Sequence, residues 1–170
     1  MIISEETKSA TADRQLFIKM VVSNWELQNQ RLNGLIDKLS DDQMLQPVAA
    51  EKNRAIYLLG HLIAVNDGMI PLLGLGERLF PELETPFVKN PDDVAIHTAS
   101  VAELRASWIK LNNALTVYFN GMDPSDWFTK HSGISEENFA KEPHRNKLNI
   151  LINRTNHQAY HLGQLIFLKS

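Results

Sequence analysis

The sequence predicts an all-α protein, a four-helix bundle with long crossover connections. Four segments carry apolar residues at three- and four-residue steps, and none shows the alternation of a strand. The 170 residues suit one domain with one core, spanning 1–170. With 44% hydrophobic and 22% charged residues, the chain has the balance of a soluble globular protein.

The first helix runs from about Thr11 to Leu39. Its stripe is Ile18, Val22, Trp25, Leu32, Ile36 and Leu39, widened by Phe17, Val21 and Leu35. Ser40-Asp41-Asp42 breaks the pattern, and Pro47 prevents its continuation. The second, about Arg54 to Leu73, is apolar on most faces, as a central helix would be. Pro71 and Gly74-Leu75-Gly76 mark its end. A connection rich in proline leads to Ala99. Ser100-Val101-Ala102-Glu103 is a capping box, opening a third helix with Leu104, Trp108, Leu111, Leu115 and Phe119. Asn120-Gly121 stops it, and a second connection reaches Asn146. The last helix, about Lys147 to Leu168, is again mostly apolar. Both later connections are roughly 25 residues, far beyond the usual span between neighbours in an up-down bundle, so a crossover topology is expected.

Charge and cysteine content remove several function classes. Seventeen Lys+Arg against twenty Asp+Glu leave −3, a field that does not favour nucleic acid or an anionic membrane. The N-terminus lacks the basic and apolar regions of a secretory signal, and no uninterrupted apolar stretch is long enough to span a bilayer. A cytoplasmic protein is the expectation. The chain has no cysteine, which excludes disulfides, thiolate metal sites and a cysteine nucleophile.

Imidazole remains, in six histidines. His157 and His161 lie one turn apart on one face of the last helix, close enough to share a metal ion. Asn153 and Gln164 continue that polar line, with Arg154 and Tyr160 beside it. Buried polar positions need partners or a function. His61 adds a third imidazole within the apolar second helix, and Gly60 beside it admits a close neighbour. Taken singly, His61 reads as a hydrogen-bonded packing residue; together, the three read as a metal site. His97, His131 and His144 fall in the connections and read as solvated loop residues.

Position 158 is Gln, so the His-Glu-x-x-His zinc protease motif is absent. No Glu stands three residues before a His, so di-iron ligation is also absent. A set of three imidazoles with open positions suits Zn, Ni or Fe as a divalent ion. Asn153, Tyr160 and Gln164 are the candidates for orienting the ligating rings.

The run Asn156-His157-x-x-Tyr160-His161-x-Gly163-Gln164-Leu165 resembles the closing motif of the DinB/YfiT-like superfamily. Gly60-His61-Leu62 is similar to the segment holding that family's first metal histidine. The resemblance implies an up-down-down-up four-helix bundle, a His61, His157 and His161 metal triad, and a homodimer. It further implies transfer of a low-molecular-weight thiol to an electrophile, since the family includes such S-transferases. Hydrolysis by metal-activated water is the nearest variant. A non-catalytic metal- or small-molecule-binding stress-response bundle is the competing expectation, because no Asp or Glu lies on either histidine stripe.

Overall fold

A computed structural model describes residues 5–96 and 99–168. Four long helices organise it: α1 (Glu5–Ile36), α2 (Ala55–Asp67), α3 (Val101–Gly121) and α4 (Lys147–Leu165). Among the described residues there is no β-strand. Helix α1 packs mainly on α4 and α2 mainly on α3, while α2–α4 and α1–α3 contacts close the ring. Trp25 and Leu32 of α1, Leu59 and Leu62 of α2, Trp108 and Leu111 of α3, and Leu151 of α4 fill its centre. The outer end of the α1 stripe is less buried than its spacing predicts, since Phe17 stays 47% exposed.

The helix starts follow local chemistry. Ser100 and Glu103 form the expected capping box at α3, each satisfying a free amide of the other's turn. The Asn146 side chain accepts from the Asn149 N–H at α4. Helix α2 has no such cap of its own. Asp92, from the connection after α2, instead holds the N-cap residue in place, accepting the Arg54 N–H at 2.6 Å and the Arg54 Nε–H at 3.0 Å. Beyond α2, the turn Met69–Leu72 prolongs the apolar run past Gly68. Ala55–Leu72 is apolar and long enough to cross a membrane, but 72% of it is buried among the other elements.

The connections carry more structure than their sequence predicts. A 3-10 turn (Pro81–Leu83) and a π-helical turn (Thr85–Lys89) lie between α2 and α3. A 3-10 turn (Asp126–Phe128) and a short helix (Glu136–Lys141) lie between α3 and α4. Such short pieces present no repeat of apolar residues to read, so single anchors place them. Phe87 and Trp127, each 1% exposed, are two of these anchors.

Polar groups inside the ring are tied across helices. Gln158 of α4, fully buried, receives a hydrogen bond from Asn66 Nδ2 of α2 at 3.2 Å and donates to Asn29 Oδ1 of α1 at 2.7 Å. Asp67, also fully buried, accepts from the backbone N–H of Leu79 at 2.8 Å and of Phe80 at 3.1 Å. The carboxylate therefore pins the start of the first crossover to the end of α2. Asp67→Ala strands both amides, and a charged acceptor is worth more than a neutral one. Denaturant unfolding should show a loss of about 2–4 kcal/mol; a loss under about 1 kcal/mol would contradict this role.

Candidate metal centre

Helices α2 and α4 meet with His61 facing His157 and His161. The Nε2 atom of His157 lies 3.3 Å from His61 Nε2 and 3.0 Å from His161 Nε2. Their rings are set edge to face, at interplanar angles of 68°, 74° and 87°. Among the described residues this cluster holds three histidines and no carboxylate, its ligand atoms within 4.8 Å of one another.

The outer contacts fix which nitrogen carries the proton. His61 Nδ1 lies 2.7 Å from the Phe87 carbonyl oxygen. A carbonyl only accepts, so Nδ1 is the donor and Nε2 of neutral His61 keeps a free lone pair. His161 Nδ1 lies 2.7 Å from Gln164 Oε1, which sets the same tautomer by the same rule. Gln164 is itself held by donating from Nε2 to the Tyr160 hydroxyl at 3.2 Å. Two lone pairs are thereby directed at the space beside His157 Nε2. Nitrogen atoms bound to one zinc at about 2.0–2.1 Å stand roughly 2.9–3.4 Å apart for angles near 90–110°. The two Nε2–Nε2 spacings at His157 fall in that range, so the donor set fits a divalent ion.

Burial favours the neutral form of His157 and His161. Desolvation, with the neighbouring His161, His61 and Arg154, holds the His157 pKa down at about 4. Desolvation and His61 also lower the His161 pKa, against the opposing pull of the Gln164 hydrogen bond. His157 Nδ1 is buried without a hydrogen-bond partner, so this ring lacks the outer tie that orients the other two.

The crossover after α2 is what holds His61. Phe87 sits on the π-helical turn with its ring over Gly60, where a Cβ would collide with it. The Tyr57 ring stacks on His61 at 6.2 Å and 12°, and its hydroxyl donates to the Asn90 carbonyl at 2.8 Å. Arg54, one further turn back, forms an ion pair with Asp92. The segment from Phe87 to Asp92 thus grips successive turns of α2.

The sequence placed His61, His157 and His161 together, and the structure brings them together. Gln164 contacts His161 directly. Tyr160 is 63% exposed; its ring meets that of His161 edge to face at 5.1 Å, and its hydroxyl accepts from Gln164. Asn153 is a correction: it is exposed and makes no hydrogen bond to the three rings, since four-residue steps drift by about 40° around a helix and leave it roughly 80° from His161. His131 is another. It is buried, and its Nδ1 accepts from the Gly133 N–H at 3.1 Å, closing a turn against the end of α2's extension. His144 is exposed as expected, and His97 lies outside the described residues. The Phe87 carbonyl was not foreseeable from side-chain patterns, since any residue carries one. Gly60 was its only signal, read as room for a helix and used by an aromatic ring.

Fold and site define an all-α protein with three histidines gathered between two of its core helices. The chain belongs to the DinB superfamily, whose family profile matches residues 24–165, a span that includes all three histidines. No curated protein matches the chain.

Two outcomes follow from this geometry. Gly60→Ala must displace Phe87 and loosen the His61 tie, lowering stability by about 1–3 kcal/mol and divalent-ion affinity by roughly ten- to hundredfold. Calorimetric titration with zinc checks it, and unchanged affinity would contradict it. A histidine whose folded pKa is depressed leaves the unfolded chain binding more protons between the two pKa values. The metal-free protein should therefore lose stability as pH falls from about 6.5 towards about 4, as thermal melts would show. His157→Gln should flatten that fall; an equal fall in the variant would contradict the assignment.

Proposed function

We propose that the protein binds one divalent ion through His61, His157 and His161 and transfers a low-molecular-weight thiol to an electrophile. The convergence of three Nε2 atoms, two with lone pairs fixed inward by outer hydrogen bonds, carries this reading. A bound Zn, Ni or Fe ion would supply Lewis acidity and lower the pKa of a thiol or water brought to it. Phe87 and Gln164 hold their imidazoles in the ligating tautomer, and the low pKa of His157 keeps its ring uncharged, so it does not repel an incoming cation. With no cysteine in the chain, sulfur arrives with the co-substrate. Hydrolysis by activated water is the same site with a different nucleophile.

The fold proposed with this function is the up-down-down-up four-helix bundle. In its support, Asn29–Gln158 and Gln43–Leu168 tie α1 and its following turn to α4 and its end in the same chain sense. Asn33–Trp108 and Leu39–Arg105 tie α1 to α3 in the opposite sense. We place the protein in the cytoplasm as a homodimer. The exposed Phe17 and Met20 on α1 border a groove with Ile152 of α4, an apolar strip that a second copy would cover.

A second reading, a binding bundle without turnover, is favoured by one observation. No carboxylate joins the cluster among the described residues to serve as a general base.

Metal analysis should find one zinc or other divalent ion per chain, and His161→Ala should lower its affinity by more than about hundredfold. Undiminished binding in the variant would overturn the triad. With zinc present, a panel of thiols and electrophiles should show conjugation that His161→Ala abolishes. Bound metal with no conjugation or hydrolysis across the panel would leave the binding bundle as the function.

A further inference from the structure

Arg154 stands one turn before His157 on α4, on the same face. Arg54, Arg78, Arg105 and Arg145 each face a carboxylate within ion-pair distance. Arg14 and Arg31 are exposed to water. Arg154 has neither compensation in full. It is half-buried, its Nε is enclosed without a hydrogen-bond partner, and no carboxylate pairs with it among the described residues. Desolvation pulls its pKa down, and its charge acts on the His157 ring.

This placement is costly twice over. A guanidinium is stable in a desolvated place when an anion or carbonyl answers it. Here it also stands beside three imidazoles gathered to hold a cation, where a like charge weakens that cation's binding. One ligand would relieve both costs: an anion lying between the guanidinium and the ion. The planar fork of arginine matches the paired oxygens of a carboxylate or phosphate.

We infer that Arg154 is the oxyanion receptor of the histidine site, selecting small ligands whose carboxylate or phosphate lies about one helical turn, roughly 5 Å, from the atom presented to the three histidines. The inference rests on the metal-site reading and names the class of ligand that site takes. The anionic end docks on Arg154 and the nucleophilic end faces the histidines, so recognition and reaction fall on one face of α4.

The test is calorimetric titration of the zinc-loaded protein with 3-mercaptopropionate, with its uncharged amide and with 2-mercaptoethylphosphonate. The acid should bind roughly ten- to hundredfold tighter than the amide, as a charge-assisted pair at a half-buried site does. The phosphonate decides which oxyanion the site prefers. Arg154→Gln should erase the difference between acid and amide, and Arg154→Lys should restore part of it. Arg154→Gln should also bind zinc alone a few-fold tighter, because a like charge is gone; a residue with only a packing role would not do this. If Arg154→Gln does not fold, the wild-type acid and amide titrations and the Lys variant still decide the matter. Zinc uptake with equal affinity for acid and amide overturns this inference alone. No zinc uptake by the wild type overturns the metal reading, and this inference with it.

Discussion

The hydrogen bond from His61 Nδ1 to the Phe87 carbonyl is the contact on which the rest depends. It sets the tautomer of one ring and so decides which lone pair faces the cluster. It also joins a core helix to a crossover that has no reason of its own to sit there. The crossover stays because Asp67 anchors its beginning, Phe87 fills the notch at Gly60, and Asp92 holds Arg54 at the start of the helix it crosses. Each is a separate physical interaction, and all act along α2. A long connection that looks irregular in sequence is therefore part of the machinery that aims His61.

The opposite wall is built differently. On α4 the orienting group, Gln164, lies one turn from His161 on the same helix, so local geometry is enough. The face behind belongs to Gln158, which joins α1, α2 and α4 through amides and fixes their relative rotation. Alternating polar residues on α4 thus serve two ends: one set turns to the histidine cluster and the other to the core. A glutamate at position 158 would put an unpaired charge where Asn66 and Asn29 now share a neutral amide. The absence of the zinc-protease motif is in this sense a packing fact as well as a chemical one.

How much of this could be read from the chain differs by residue. Helical periodicity located the four long helices, because burial of one face forces a repeat that survives in sequence. The His157–His161 spacing was legible for the same reason. His61 was legible as an anomaly in an apolar run. The short turns between helices were not, because Phe87 and Trp127 are single anchors without a repeat around them. Asn153 shows the reverse error: a polar residue at helical spacing from a site is not thereby part of it, since the drift of about 40° per four-residue step is enough, over two steps, to face water. His131, in a connection beside Lys130 and Gly133, reads as solvated, yet the turn it closes folds back over the end of α2's extension, with the Ser132 N–H donating to Leu72 O at 3.0 Å.

The central claim is that three imidazoles, oriented from outside, make one binding site for a divalent ion. X-ray absorption of the zinc-loaded protein tests it most directly. Three imidazole nitrogens at about 2.0–2.1 Å, with the remaining position taken by a light atom from solvent, is the predicted first shell. A shell with one or two imidazoles, or one dominated by carboxylate oxygen, would contradict it.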